Sequence, residues 1–131
     1  MSCVLVVDDN PSVRDAVVSI MRDSGHQSLM AADGFEALDR CRSVQPDVVI
    51  TDIFMSGMDG MDLIRVLRRR FPKTRIIAMS AGRSVPNLEV SADHADRDLV
   101  RTAAGAGADR VVAKSIEPAE LVATVAELLS S

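Results

Sequence analysis

The hydrophobic positions of the chain fall into short uninterrupted runs, separated by segments in which apolar residues recur at helical spacing. Continuous runs rich in β-branched residues are typical of strands buried on both faces of a parallel sheet. Four of the five runs have this character, and the second is weaker. The predicted strands are Val4–Val7, Gln27–Ala31, Val48–Ile50, Ile76–Met79 and Val111–Ala113.

The segments between these runs carry helix start and stop signals. Asn10 followed by Pro11 predicts a helix start, because asparagine caps helices and proline suits the first turn. Gly25 predicts the end of that helix. Asp33–Glu36 has the pattern of a capping box and predicts a second helix. The remaining predicted helices are Asp59–Arg70, Ala95–Ala104 and Pro118–Leu129.

A strand followed by a helix, repeated five times, predicts an α/β fold. Right-handed crossovers then place helices on both faces of an open parallel sheet. We expect one domain over residues 1–131. The segment Ala81–His94 does not fit this alternation of strands and helices, since it is polar and its apolar residues have no clear helical or strand spacing.

Composition restricts the classes of protein that remain. The apolar runs are much shorter than the roughly 20 residues of a membrane span, and no signal-peptide pattern opens the chain, so we expect a cytoplasmic protein. A net charge of −4 argues against direct binding of nucleic acid. Arg68–Arg70 is interpreted as a solvated helix end rather than a phosphate-binding patch. Cys3 and Cys41 are interpreted as small core residues rather than redox groups, and His26 and His94 as ordinary polar residues.

Polar side chains follow the predicted strands at the edge where open parallel sheets bind ligands. Clustered carboxylates raise one another's pKa unless a cation neutralises them, and hard oxygen ligands suit Mg²⁺ or Mn²⁺. A lysine and a hydroxyl nearby indicate that an anion also binds. This combination favours phosphoryl transfer to an aspartate nucleophile. The residues concerned are Asp8, Asp9, Asp52, Ser80 and Lys114.

Each of these residues has an ordinary structural explanation when it is considered alone. An aspartate after a strand is usually a helix cap, a serine a turn former and a lysine a surface residue. The joint placement of all five at strand ends favours the functional interpretation.

Four motifs stand out along the chain, Leu5–Asn10, Asp52–Gly60, Met79–Ala81 and Gly107–Lys114. With these motifs, the chain resembles the receiver domains of two-component response regulators over nearly its whole length. The resemblance implies a flavodoxin-like, doubly wound sheet of five parallel strands in the order 2-1-3-4-5, with about five helices.

The resemblance also implies roles for individual residues. Asp52 would accept a phosphoryl group from a sensor histidine kinase or a histidine phosphotransfer protein. Lys114 would pair with the phosphoryl oxygens, and Ser80 would form a hydrogen bond to them. The fourth helix, fifth strand and fifth helix would then repack and present a surface to an effector domain or target protein. Such a protein catalyses only its own phosphorylation and dephosphorylation. The implied Mg²⁺ ligands are Asp8, Asp9, Asp52 and the backbone carbonyl of Phe54.

The chain departs from the family pattern at four places. Ser56 and Ser115 stand where the family usually has proline, and Val111 stands where an aromatic switch residue is typical. The connection after the fourth strand is longer than usual by roughly a dozen residues, near Ala81–His94. This extra segment is interpreted as a solvated loop, with a partner-selecting surface as the alternative.

Three other classes of protein compete with the receiver interpretation. A degenerate receiver, acting as a phosphorylation-independent binding module, stays open because of Val111 and Ser115. A phosphohydrolase of the haloacid dehalogenase type needs a second aspartate two residues after the nucleophile, where this chain has Phe54. A flavin carrier needs a glycine-rich phosphate loop after the first strand, where Asp8 and Asp9 would repel phosphate.

Overall fold

The computed structural model describes residues 2–55, 57–80 and 101–130. In these ranges, strands and helices alternate along the chain. The strands are β1 (Cys3–Val7), β2 (Gln27–Ala31), β3 (Val48–Asp52), β4 (Arg75–Ser80) and β5 (Arg110–Ala113). The helices are α1 (Pro11–Asp23), α2 (Gly34–Val44), α3 (Gly60–Arg70), α4 (residues 101–106) and α5 (Pro118–Ser130).

The described strands form one parallel sheet in the order β2-β1-β3-β4-β5, which confirms the predicted fold. The predicted ends of two strands were too early. β3 continues past Ile50 because Thr51 and Asp52 stay paired with β4. β4 continues to Ser80, which is paired with Ala113 of β5. Asp52 and Ser80 are therefore the last residues of their strands rather than the first residues after them.

The core consists of two hydrophobic layers, one on each face of the sheet. Alternate residues of a strand point to opposite faces, so Leu5 and Val49 contribute to one layer while Val4 and Val48 contribute to the other. The first layer packs against α2, α3 and Ala103. The second packs against α1 and α5. Helices on both faces are what keeps the central strands fully buried.

Polar caps begin the first three helices, and the sequence analysis predicted the first two of these caps. The side chain of Asn10 accepts hydrogen bonds from the amides of Ser12 and Val13 at 2.9 and 3.3 Å. Asp33 caps α2, and Asp59 caps α3 in the same way. Each cap satisfies amides that the helix itself leaves unpaired.

The outer strand β5 differs from its prediction as a buried strand. Val111 and Val112 are half-buried, and the two end residues of β5 are exposed. The reason is position: β5 pairs with β4 on one side only and lies at an edge of the sheet.

Arg68 also differs from its prediction as part of a solvated helix end. Arg69 and Arg70 are exposed as expected. The guanidinium of Arg68 instead turns back and donates to the carbonyl of Gly107, with distances of 3.0 Å from Nε and 2.8 Å from Nη2. The end of α3 is thereby fastened to the segment that enters β5.

The opposite edge strand, β2, has arginines on its outer side. Parallel strands direct alternate backbone groups to either side, and the carbonyls of Ser28 and Met30 point away from β1. Arg22 Nη2 donates to the Ser28 carbonyl at 3.2 Å, and Arg40 Nε donates to the Met30 carbonyl at 3.2 Å. Both outward acceptors of this strand are therefore hydrogen-bonded within the chain.

Some predictions fall outside the described residues. These are the segment Ala81–His94, the start of the helix predicted from Ala95, and Ser56. Both cysteines are buried, as predicted. In the part of the chain that the structure describes, no helix combines the length and apolar character that crossing a membrane requires.

Candidate functional site

The polar residues selected from the sequence lie at one edge of the sheet. Asp8 follows β1 directly, Asp52 ends β3, Ser80 ends β4 and Lys114 follows β5. Because the strands are parallel, their carboxyl ends meet at the same edge. The Lys114 amide donates to the Ser80 carbonyl at 2.7 Å, which extends the β4–β5 ladder to this edge.

Three carboxylates form the centre of the site. Oxygen atoms of Asp8, Asp9 and Asp52 all lie within 4.8 Å of one another. Asp8 and Asp52 are buried, whereas Asp9 is exposed. Two of the three potential metal ligands in the cluster are therefore buried, and the third faces solvent.

Lys114 supplies positive charge to the two buried acids. Its Nζ lies 3.0 Å from Asp52 Oδ2 and 3.1 Å from Asp8 Oδ2. The contact to Asp52 is a hydrogen bond, while the contact to Asp8 is an ion pair without hydrogen-bond geometry. The lysine side chain is 22% exposed, so its ammonium reaches the acids from a partly solvated position.

Burial and the charge of the ion-pair partner shift the pKa values of Asp52 and Lys114 in opposite directions. Burial raises the pKa of Asp52, and the neighbouring charge of Asp8 raises it further, whereas Lys114 and the Phe54 amide lower it; the net shift is upward. For Lys114, burial lowers the pKa, but the hydrogen bond to Asp52 and the close negative charges of Asp52 and Asp8 outweigh burial and leave the pKa raised. The lysine therefore stays a cation at neutral pH.

Backbone groups orient the two buried carboxylates. The amide of Asn10 donates to Asp8 Oδ1 at 2.9 Å, and the amide of Phe54 donates to Asp52 Oδ1 at 3.3 Å. Phe54 itself is 61% exposed. Each acid thus has one oxygen engaged by the loop that follows it, with the other directed toward Lys114.

The close approach of α3 to β3 depends on a residue to which the sequence analysis gave no role beyond closing the Asp52–Gly60 motif. A Cβ atom on Gly60 would lie 2.1 Å from the carbonyl oxygen of Asp52 and 2.6 Å from Ile53 Cα. The Gly60 amide donates to the Ile53 carbonyl at 2.7 Å. Glycine is therefore required here for close backbone contact, and this contact fixes the chain around Asp52.

Arg14 is a second neighbour of the site that the sequence analysis missed. Its Nη1 donates to the backbone carbonyl of Asp8 at 3.2 Å. Its position in the first turns of an amphipathic helix gives no signal in the sequence, because many helical arginines face solvent. Only the tertiary arrangement reveals that this side chain folds back to the strand end.

The oxygen donors are suited to a hard divalent cation. Asp8 Oδ2 is buried and finds no hydrogen-bond partner among the described residues, although Lys114 is close enough for an ion pair. Together with the oxygens of Asp9 and Asp52, it forms a donor set that fits Mg²⁺, which prefers carboxylates and water.

The chain matches known proteins over almost its whole length. Residues 4–126 match the model of the response regulator receiver domain. The chain is 35% identical over 122 residues to the DNA-binding response regulator MtrA of Mycolicibacterium smegmatis, and the match covers 93% of this chain and 48% of MtrA. It is 32% identical over 126 residues to the response regulator MprA of Mycolicibacterium vanbaalenii, covering 96% of this chain and 49% of MprA. The chain thus spans about half the length of these curated relatives.

Solved structures show the same fold. The chemotaxis protein CheY4 of Vibrio cholerae superposes with a TM-score of 0.80 at 27% identity, covering 98% of both chains. The receiver domain of NtrX from Brucella abortus superposes with a TM-score of 0.84 at 25% identity, also covering 98% of both chains. Together with the match to the family model, these similarities show that the chain belongs to the response regulator receiver domains of two-component systems.

Proposed function

We propose that the chain accepts a phosphoryl group on Asp52 from the phosphohistidine of a sensor histidine kinase or a histidine phosphotransfer protein. The observation that carries the proposal is the position of Lys114 Nζ, 3.0 Å from Asp52 Oδ2 and 3.1 Å from Asp8 Oδ2. A buried carboxylate with a neighbouring ammonium has the charge arrangement that the transfer of a phosphoryl anion requires.

In the transfer, an oxygen of the ionised Asp52 carboxylate attacks phosphorus, and the bond between phosphorus and the imidazole nitrogen breaks. The electron pair of that bond stays on the imidazole, and Asp52 becomes an acyl phosphate. No proton has to leave Asp52 before it attacks, so the site needs charge neutralisation and alignment rather than a general base.

The other residues of the site take complementary roles. Lys114 pairs with a phosphoryl oxygen, and the hydroxyl of Ser80 donates a hydrogen bond to another. Mg²⁺ supplies neutralisation of the phosphoryl charge when it is bound. The residues that would hold it are Asp8, Asp9, Asp52 and the backbone carbonyl of Phe54.

Phosphorylation would change the surface formed by α4, β5 and α5, which would contact an effector domain or target protein. Two observations support this route. The backbone bond from Lys114 to the Ser80 carbonyl couples the two residues that contact the phosphoryl group to β5. Val111 of β5 is half-buried against the core, so movement of this strand would repack its face.

The test is the mass of the intact protein after incubation with acetyl phosphate, with and without Mg²⁺. We expect the wild type to gain one phosphoryl group in the presence of Mg²⁺, and the Asp52→Asn variant to gain none. Asp59→Asn is the matched control, because Asp59 is an exposed helix cap in the same loop and asparagine caps helices equally well.

Labelling of folded Asp52→Asn would contradict the assignment of the nucleophile. A folded wild type that gains no mass from acetyl phosphate or from phosphorylated kinases would instead favour the alternative, a receiver that binds partners independently of phosphorylation. The half-buried valine at position 111 is the feature that favours this alternative, because it lacks an aromatic ring that could swing between buried and exposed positions.

A further inference from the structure

Arg14 forms a link between α1 and the end of β1 that ordinary sheet pairing does not provide. The backbone N–H of Asp8 donates to the carbonyl of Ala31, so the backbone groups of Asp8 face β2. The paired register of these strands ends at Val7 and Ala31. The next amide in this register would belong to Asp33, the N-cap residue of α2, and the Asp33 amide does not donate to the Asp8 carbonyl.

The guanidinium of Arg14 takes the place of that missing strand partner. Its Nη1 donates to the Asp8 carbonyl at 3.2 Å. Its Nε is buried and has no hydrogen-bond partner among the described residues. Burying an unpaired donor costs free energy. The other interactions of the Arg14 side chain, among them the hydrogen bond from Nη1, must offset this cost.

The backbone and the side chain of Asp8 are thus held by different groups. Arg14 holds its backbone carbonyl, and the Asn10 amide holds Oδ1 of its carboxylate at 2.9 Å. The remaining oxygen, Oδ2, belongs to the three-carboxylate cluster. The direction in which Oδ2 points therefore depends on a backbone conformation that Arg14 stabilises.

We infer that Arg14 is a positioning residue for the divalent cation site, acting through the backbone of Asp8. The inference rests on the proposed function, because it presumes that the carboxylate cluster binds Mg²⁺. Arg14 does not contact the cation or the phosphoryl group in this role. Groups that orient metal ligands in this way contribute on the order of tenfold or more to metal affinity.

The test is a titration with Mn²⁺, followed by the loss of the electron paramagnetic resonance signal of the free ion. The variant is Arg14→Met, which keeps the aliphatic stem and removes the donor. The matched control is Arg22→Met, since Arg22 lies on the same helix and also donates to a strand carbonyl at 3.2 Å, that of Ser28, but far from the acids. We expect Arg14→Met to bind Mn²⁺ about tenfold more weakly than wild type and Arg22→Met to match the wild type.

The direction of the change separates positioning from simple electrostatics. Removing a positive charge near three carboxylates would by itself strengthen cation binding. A weaker affinity in folded Arg14→Met is therefore opposite to the effect of the lost charge and indicates lost positioning. Arg14→Lys, which keeps the charge and one donor group, is expected to recover most of the affinity.

Different outcomes distinguish failure of the inference from failure of the proposed function. Wild-type affinity in folded Arg14→Met, or equal losses in the two arginine variants, would overturn the positioning role alone. Absence of Mn²⁺ binding by the wild type would overturn the metal site and the inference with it.

A measurement on the wild type covers the case in which Arg14→Met does not fold. We expect the Nε–H resonance of Arg14 to shift when Mg²⁺ is added, while that of Arg22 stays constant. An unchanged Arg14 resonance at saturating Mg²⁺ would overturn the inference.

Discussion

Arg68 Nη2 donates to Asp109 Oδ2 over 2.7 Å, and the same carboxylate oxygen accepts a hydrogen bond from the amide of Ile76, also at 2.7 Å. This pair connects the end of α3 with the start of β4 and with the residue that precedes β5. The two side chains are 29% and 24% exposed, so water screens their interaction less than it screens a surface ion pair.

Replacing Arg68 with methionine should lower the free energy of unfolding by about 1–3 kcal/mol, because Asp109 and the Gly107 carbonyl lose a half-buried partner. Urea denaturation followed by circular dichroism would measure the change. The control is Arg65→Met, since Arg65 pairs with Asp62 on the surface, where the side chains are 50% and 59% exposed. That control should change stability by less than about 0.5 kcal/mol. Similar losses in the two variants would contradict the structural role of Arg68.

Substitution of Gly60 by alanine should destabilise the fold and disturb the candidate site together. The added Cβ would meet the backbone of Asp52 and Ile53 at distances that require the chain to move. We expect a loss of about 1–3 kcal/mol in unfolding free energy and slower labelling by acetyl phosphate. Gly105→Ala is the control, because a Cβ at this position of α4 meets nothing within 4 Å. It should stabilise the protein by about 0.5–1 kcal/mol. Unchanged stability in Gly60→Ala would show that the backbone contact is not tight.

Replacement of Lys114 by methionine should separate phosphoryl transfer from metal binding. Loss of the ammonium removes a positive group from the place where phosphoryl charge develops, and labelling by acetyl phosphate should slow by about a hundredfold. Cation affinity should be retained or increased, because the acids lose a competing positive charge. Mn²⁺ titration and mass spectrometry would measure the two effects, with the exposed Lys73→Met as control. A parallel loss of metal affinity would show that Lys114 instead shapes the metal site.

Cys41 should resist alkylation in the native protein. Burial raises the pKa of its thiol from 9.0 to about 11, which leaves about a hundredfold less thiolate at mildly alkaline pH. Iodoacetamide labelling followed by peptide mass spectrometry should modify Cys41 only after denaturation. Equally rapid labelling of native and unfolded protein would contradict its burial.

The raised pKa of Cys41 also predicts the direction of an alkaline stability change. Between 9.0 and about 11, the folded protein binds more protons at this thiol than the unfolded chain does. The contribution to stability is therefore complete below pH 9.0 and is lost as the pH rises through about 11. Compared with Cys41→Ala, the wild type should lose up to roughly 2–3 kcal/mol over this window in urea denaturation. A constant difference between the two proteins would contradict the shift.

The sheet and the acidic site could be predicted from the sequence because their signals are local. Buried parallel strands require continuous apolar runs, and a polar residue that closes such a run must lie at the edge of the sheet. This argument placed Asp8, Asp52 and Lys114 near one another without knowledge of side-chain conformations. It located β3 and β4 but ended them early, because Thr51 and Ser80 are polar residues that remain in the ladder.

The features that escaped prediction depend on contacts between distant segments. Arg68 looks like its exposed neighbours Arg69 and Arg70, and only the approach of Gly107 distinguishes it. Arg14 is similarly indistinguishable in sequence from an arginine on a solvated helix face. The half-exposed state of β5 reflects its place at the edge of the sheet, which the residues Arg110–Ala113 do not encode by themselves.

The arginines that cover the outer side of β2 have a consequence for self-association. An unprotected edge strand can accept a strand from another molecule and begin an intermolecular sheet. Here the Ser28 and Met30 carbonyls are already engaged by Arg22 and Arg40, and an incoming strand would have to displace two charged side chains. At this edge, the same two arginines that engage the outward carbonyls of β2 discourage aggregation with a second molecule.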